Sequence, residues 1–194
     1  MMGPALSAAA LAALLLSLPG VALLRRARPA LLLAVALGVA LVPLGGLPAA
    51  AYARGAVGDL SVTTMLLLLH SLLRPVLGWE SVGKASRITL QVLAATGGLL
   101  LYPSALAPGP TDPYRIGFGN PWFLAALLLL ATGALVLRLH FVASSIALAV
   151  LVWALGGYES RNLWDYLLDP LLAVWGTVAL LVWSQKAIVQ ATRR

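Results

Sequence analysis

Apolar residues in this chain run in blocks and do not alternate with polar ones. The blocks fall at roughly 4–24, 29–49, 61–79, 88–106, 121–138, 141–157 and 170–190. Each approaches the length of about 20 apolar residues that carries an α-helix across a bilayer. A membrane barrel would need alternating apolar and polar positions, whereas LLLAVALGVALV and LAALLLLATGALVL are apolar on every face. The pattern therefore predicts an all-α polytopic bundle of about seven transmembrane helices. Gly, Pro and charge punctuate the blocks, in GGLPAAAYARGAVGD, ESVGKASR, APGPTDPYRIGFGNP, RLH and YESRNLWDYLLDP. Between Trp122 and Gly157 there is no Pro, and Arg138 with His140 marks the one break. A single helix of about 36 residues would be about 54 Å long, against a hydrocarbon core of about 30 Å, so two short helices with a tight turn are expected.

Seven spans put the termini on opposite sides, and the basic residues orient them. With the N-terminus out, Arg25, Arg26, Arg28, Arg74, Lys84, Arg87, Arg138, Lys186, Arg193 and Arg194 fall inside, while Arg54, Arg115 and Arg161 fall outside. The reverse would place most positive charge outside, against the bias of membrane proteins. The expectation is N-out and C-in. RRAR follows the first apolar block and does not precede it, so that block reads as a retained span and not as a signal peptide.

Composition agrees with a bilayer. Charged residues are 10% of the 194 and apolar residues 61%, with a mean hydropathy of +0.97; a soluble domain carries about 25% charged residues. The whole chain, 1–194, reads as one integral domain of the cell inner membrane. A net charge of +7 is then lipid-facing basic residues and not a nucleic-acid surface. There is no Cys, which removes disulfides, thiolate metal sites and cysteine nucleophiles.

The stretch from Tyr158 to Pro170 concentrates charge and aromatics. Asn162 suits an N-cap and Asp165 the positive end of a short helix, with Leu163, Trp164, Leu167, Leu168 and Leu171 on one stripe and Asn162, Asp165 and Asp169 opposite. Asp169 suits the N-cap of the last span, with Pro170 at its first position. Tyr158, Trp164 and Tyr166 are placed as headgroup-level aromatics. This predicts a short interfacial helix before the last span. Each outer loop also holds an Arg and an acid. Converged, Asp112, Arg115, Glu159, Arg161, Trp164 and Asp165 would form an outward-facing ligand site, with bidentate Arg contacts to a phosphate or carboxylate. That predicts the 158–169 segment folded against the 107–120 loop; Asp112 and Arg115 are also close enough to pair locally.

His70 sits at the middle of the third block, nine residues from Ser61 and nine from Trp79, a depth at which an ionisable residue marks a candidate site. Arg74 shares its helix face. Haem held by His70 and His140 is disfavoured by a depth mismatch of roughly 15 Å, and the carboxylates collect at the opposite surface from His140. No cofactor and no metal is expected. Gly-rich phosphate loops, G-x-S-x-G and H-E-x-x-H are missing, so no catalytic residue is assigned. GPTDPYRIGF, Gly109 to Phe118, is similar over its ten residues to the GPTGGY-L-GF segment of biotin-uptake membrane components, departing from it at Asp112 and Pro113.

These features favour a transport or substrate-binding component that takes a lipid or amphipathic small molecule from the outer face. The alternatives are a membrane enzyme acting on a lipid-linked substrate there, and a non-catalytic accessory subunit packed against a larger membrane partner.

Overall fold

The structure is a computed structural model that describes residues 11–12, 15, 29–106 and 112–192. Most of the first apolar block, the RRAR cluster and all of APGPT lie outside the described residues. The described chain is mostly helical, as an all-α protein is. Among the described residues one helix, Pro170–Thr192, is long and apolar enough to cross a membrane by length and composition, and four shorter apolar helices accompany it. The chain divides into two compact units, Met1–Leu60 with Met65–Ser81 and Gly157–Glu159, and Ser61–Thr64 with Val82–Gly156 and Ser160–Arg194.

In the first unit, α1 (Pro29–Leu41) ends well before the apolar block does. Pro43 cannot donate a backbone bond, and Gly45 and Gly46 take φ of 54° and 92°, the left-handed pair that a two-residue hairpin turn needs. The chain therefore doubles back as β1 (Pro43–Leu44) against β2 (Leu47–Pro48). Tyr52 holds the turn, its hydroxyl donating to Leu44 O at 2.7 Å. The alanine-rich run that reads as loop forms α2 (Ala49–Val57), because Ala has the highest helix propensity. Ala36 of α1 is buried with Leu72 of α3 (Val62–Leu77), and Leu68 and Leu69 pack on them. Leu60 and Met65 form a second buried cluster under Tyr158, whose hydroxyl donates to Leu60 O at 2.7 Å.

In the second unit, α4 (Lys84–Leu106) and α8 (Pro170–Thr192) are the long pair. Small residues let their backbones meet. A Cβ on Gly176 would lie 2.5 Å from Gln91 O, and one on Gly98 would lie 2.6 Å from Ala173 Cβ. Close small-residue contact of this kind is how helices associate where lipid supplies no hydrophobic drive.

The apolar run after Trp122 does break in two, as α5 (Pro121–Val136) and α6 (His140–Ala154). The turn is made at Arg138, whose φ is +57°, a left-handed conformation that stops a helix. Asn120 caps α5, its Oδ1 accepting from Trp122 N at 2.9 Å and Phe123 N at 3.3 Å. The short helix before the last span is a single turn, α7 (Trp164–Leu167).

Candidate functional site

The site is built where two helices begin. Ser61 precedes α3 and its Oγ accepts from Thr64 N at 3.2 Å; Asp169 precedes α8 and its Oδ1 accepts from Leu172 N at 2.9 Å. Each is an N-cap by the ordinary rule. What links them is the second oxygen of the carboxylate. Asp169 Oδ2 also accepts from Ser61 N at 2.9 Å and from Ser61 Oγ at 2.6 Å. One buried carboxylate thus joins two helix N-termini, whose dipoles favour negative charge. Asp169 is 4% exposed and Ser61 0%, so these bonds are made out of water.

The next layer is a lock between Pro113–Gly117, a 3₁₀ turn, and the segment Ser160–Trp164. Leu163 N donates to Gly117 O at 2.9 Å. Asn162 Nδ2 donates to Tyr114 O at 2.9 Å, and its Oδ1 accepts from Trp164 N at 3.0 Å. Trp164 Nε1 donates to Pro113 O at 3.1 Å. Only glycine fits at 117, since a Cβ there would lie 1.8 Å from Asn162 Oδ1. Of the contact expected between 158–169 and 107–120, docking of Ser160–Trp164 on Pro113–Gly117 is thus observed.

Asp165 lies within this lock. Its Oδ2 accepts from Tyr114 Oη at 2.8 Å and from Ser160 Oγ at 2.5 Å. The Tyr114 phenol is pushed up to about 12, by burial first and then by its hydrogen bond to the Asp165 carboxylate. Two ring pairs belong to the same lock: Trp164 packs on Phe123 with centroids 4.5 Å apart, and Phe118 meets Tyr114 edge-on at 5.8 Å.

Of the residues expected to converge, Asp165 and Trp164 do. Asp112 is exposed and caps the 3₁₀ turn, its Oδ1 accepting from Tyr114 N at 2.9 Å. Its link to Arg115 is backbone only, Arg115 N to Asp112 O at 3.2 Å. Arg115, Glu159 and Arg161 are exposed, and among the described residues none of the three forms an ion pair. The Arg clamp is therefore not assembled; what Arg161 contributes is its carbonyl, which accepts from Trp153 Nε1 at 2.8 Å. The side chain of Arg54 lies outside the described residues. A long guanidinium at the rim gains little by pairing, because exposed pairs are worth about 0–1 kcal/mol.

His70, midway along α3, and Arg74, in its last turn, belong to the other unit. The His70 ring lies 6.0 Å from that of Trp79, and Arg74 Nε donates to Trp79 O at 3.3 Å. Tyr166 is 0% exposed, with its hydroxyl donating to Ser160 O at 2.9 Å. The polar side of the short helix is no solvated face either, since Asn162 is 0% exposed.

Sequence reasoning did not find Ser61, Tyr114 or Ser160 as partners of the carboxylates. The one available signal was Ser61 ahead of an apolar run, which marks a cap but not its distant partner. Comparisons with family models, curated proteins and solved structures give no match to this chain.

Proposed function

We propose that this chain is a small multi-pass inner-membrane protein of about seven spans, N-out and C-in, acting as a transport or substrate-binding component. Its polar site lies at the outer ends of the helices. The observation that carries this reading is the carboxylate pair Asp165 and Asp169, one half-buried and one buried, set at the entrance to a 23-residue apolar helix. Ionisable groups at the edge of a membrane bundle are expensive and mark ligand or proton paths.

Two further features support it. The Ser61–Asp169 bonds join the starts of α3 and α8, the third and seventh spans, in keeping with odd-numbered spans entering from one side. The flanks of α5 are open and apolar, with Trp122 83%, Leu129 73% and Val136 77% exposed, as a lipid-covered surface would be. The same face favours a second reading, an accessory subunit seated against a larger membrane partner.

Reporter fusions test the orientation. Signals from 80–87 should report inside and those from 158–169 outside; the reverse would overturn it. For the function, mass spectrometry of small molecules that co-purify in mild detergent should find a ligand that Asp165→Asn loses while folded yield is kept. Parallel loss of yield and ligand would reduce the segment to a structural lock.

A further inference from the structure

Asp165 has an unusual set of neighbours for a half-buried carboxylate. Its Oδ2 takes both hydroxyl protons offered by Tyr114 and Ser160, and its Oδ1 takes no hydrogen bond among the described residues. Among the described residues no Lys or Arg pairs with it, in a chain carrying 13 of them. The nearest in sequence, Arg161, is exposed and unpaired among the described residues.

The donors of this cluster are thus consumed. Ser160 Oγ and Tyr114 Oη give their only protons to the carboxylate, Trp164 Nε1 gives its proton to Pro113 O, and Asn162 Nδ2 is held by Tyr114 O. What remains is a negatively charged oxygen in a lock that also carries aromatic rings. Phe118 is 59% exposed and stands edge-on to Tyr114 at 5.8 Å; Trp164 and Phe123 are stacked at 4.5 Å. Neither hydroxyl keeps a proton for an anion. A cation would meet an acceptor already oriented by two hydroxyls, together with ring faces that attract positive charge.

We propose that Asp165, with Tyr114, Phe118 and Trp164, forms a binding site for an organic cation, an alkyl- or quaternary ammonium group. The inference rests on reading this face as a ligand-binding face, and it names the substrate class. The charged oxygen supplies selectivity for cations over neutral molecules, and the rings select the alkylated ammonium over a strongly hydrated metal ion.

Choline and its uncharged isostere 3,3-dimethyl-1-butanol test it on the intact protein in detergent, by calorimetric titration. Choline should bind at least about tenfold more tightly than the isostere, the factor that about 1.4 kcal/mol of charge interaction gives. Asp165→Asn keeps an oxygen for the Ser160 and Tyr114 hydroxyls while removing the charge. It should weaken choline by at least about tenfold and leave the isostere unchanged, whereas Arg161→Ala should leave both unchanged. Equal affinity for choline and its isostere, or tighter binding of the anion 3,3-dimethylbutyrate, would overturn the assignment. The comparison of ligands uses the unaltered protein, so it decides even where the variant fails to fold. Failure here would leave the transport reading standing on its own test, since a co-purified anionic ligand lost from Asp165→Asn would support that reading and refute this one.

Discussion

Two regions carry ionisable groups beside aromatic rings, and they are held in different ways. Along the second half of α3 and just beyond it, His70, Arg74 and Trp79 lie within ten residues of one another, and Arg74 is exposed with one 3.3 Å bond to Trp79 O. At the start of α8, Asp169 is 4% exposed and bonded to Ser61, 108 residues away, and Asp165 is bonded to Tyr114, 51 residues away. The first cluster is one helix turn and its exit, and water can replace what it loses. The second exchanges its hydration for backbone and hydroxyl donors from distant segments, so losing one member strands the others away from water. Polar groups cost most where their partners are both buried and far apart in sequence.

The largest test of this contrast is Asp169→Ala. It strands Ser61 N and Leu172 N, while Ser61 Oγ keeps Thr64 Oγ1 as an acceptor at 3.1 Å, and should destabilise the protein by about 2 kcal/mol or more, at about 1–3 kcal/mol for each buried donor. Thermal unfolding in detergent measures it; a loss below about 1 kcal/mol would mean that water reaches the junction. Gly117→Ala comes next. Its Cβ would collide with Asn162 Oδ1, and an overpacked contact of this kind costs about 1–3 kcal/mol. Proteolysis between 107 and 120 should speed up in that variant, and an unchanged rate would argue that the lock is loose.

A smaller effect concerns Tyr114. Its phenol is raised from 10.0 to about 12, so the folded state favours the neutral form. The stability this supplies is fully present below pH 10 and is lost as pH rises towards about 12; partial exposure keeps it small. In the difference between the phenolate absorbance of the native protein and that of Tyr114→Phe, Tyr114 should ionise near 12. Asp165→Asn should bring that ionisation part of the way back, because burial remains. The smallest effect is expected from Arg74→Ala, about 0.5 kcal/mol or less, since it removes one long bond at an exposed position. A larger loss there would erase the distinction between the two regions.

Most of the helices were legible from the apolar blocks, because periods of hydrophobicity and single residues such as Pro121, Arg138 and Pro170 act locally. Asp169 as the cap of the last helix followed from the Asp-Pro pair alone, since a cap needs only the residues that follow it. The all-α class followed as well. Local rules also misled. The second block stops at Leu41 and turns through Gly45 and Gly46 where apolar content suggested continuation, and α2 forms where punctuation suggested a loop. Opposite charges in neighbouring loops suggested an Arg clamp, but exposed guanidiniums gain too little from pairing to leave water. What only the tertiary structure decided is which donors the carboxylates use. Ser61 and Asp169, or Tyr114 and Asp165, meet only in the folded chain, 108 and 51 residues apart in sequence. Nothing near those residues in sequence encodes the partner, because hydrogen bonding of a buried carboxylate constrains the chemistry of its neighbours and not their position along the chain.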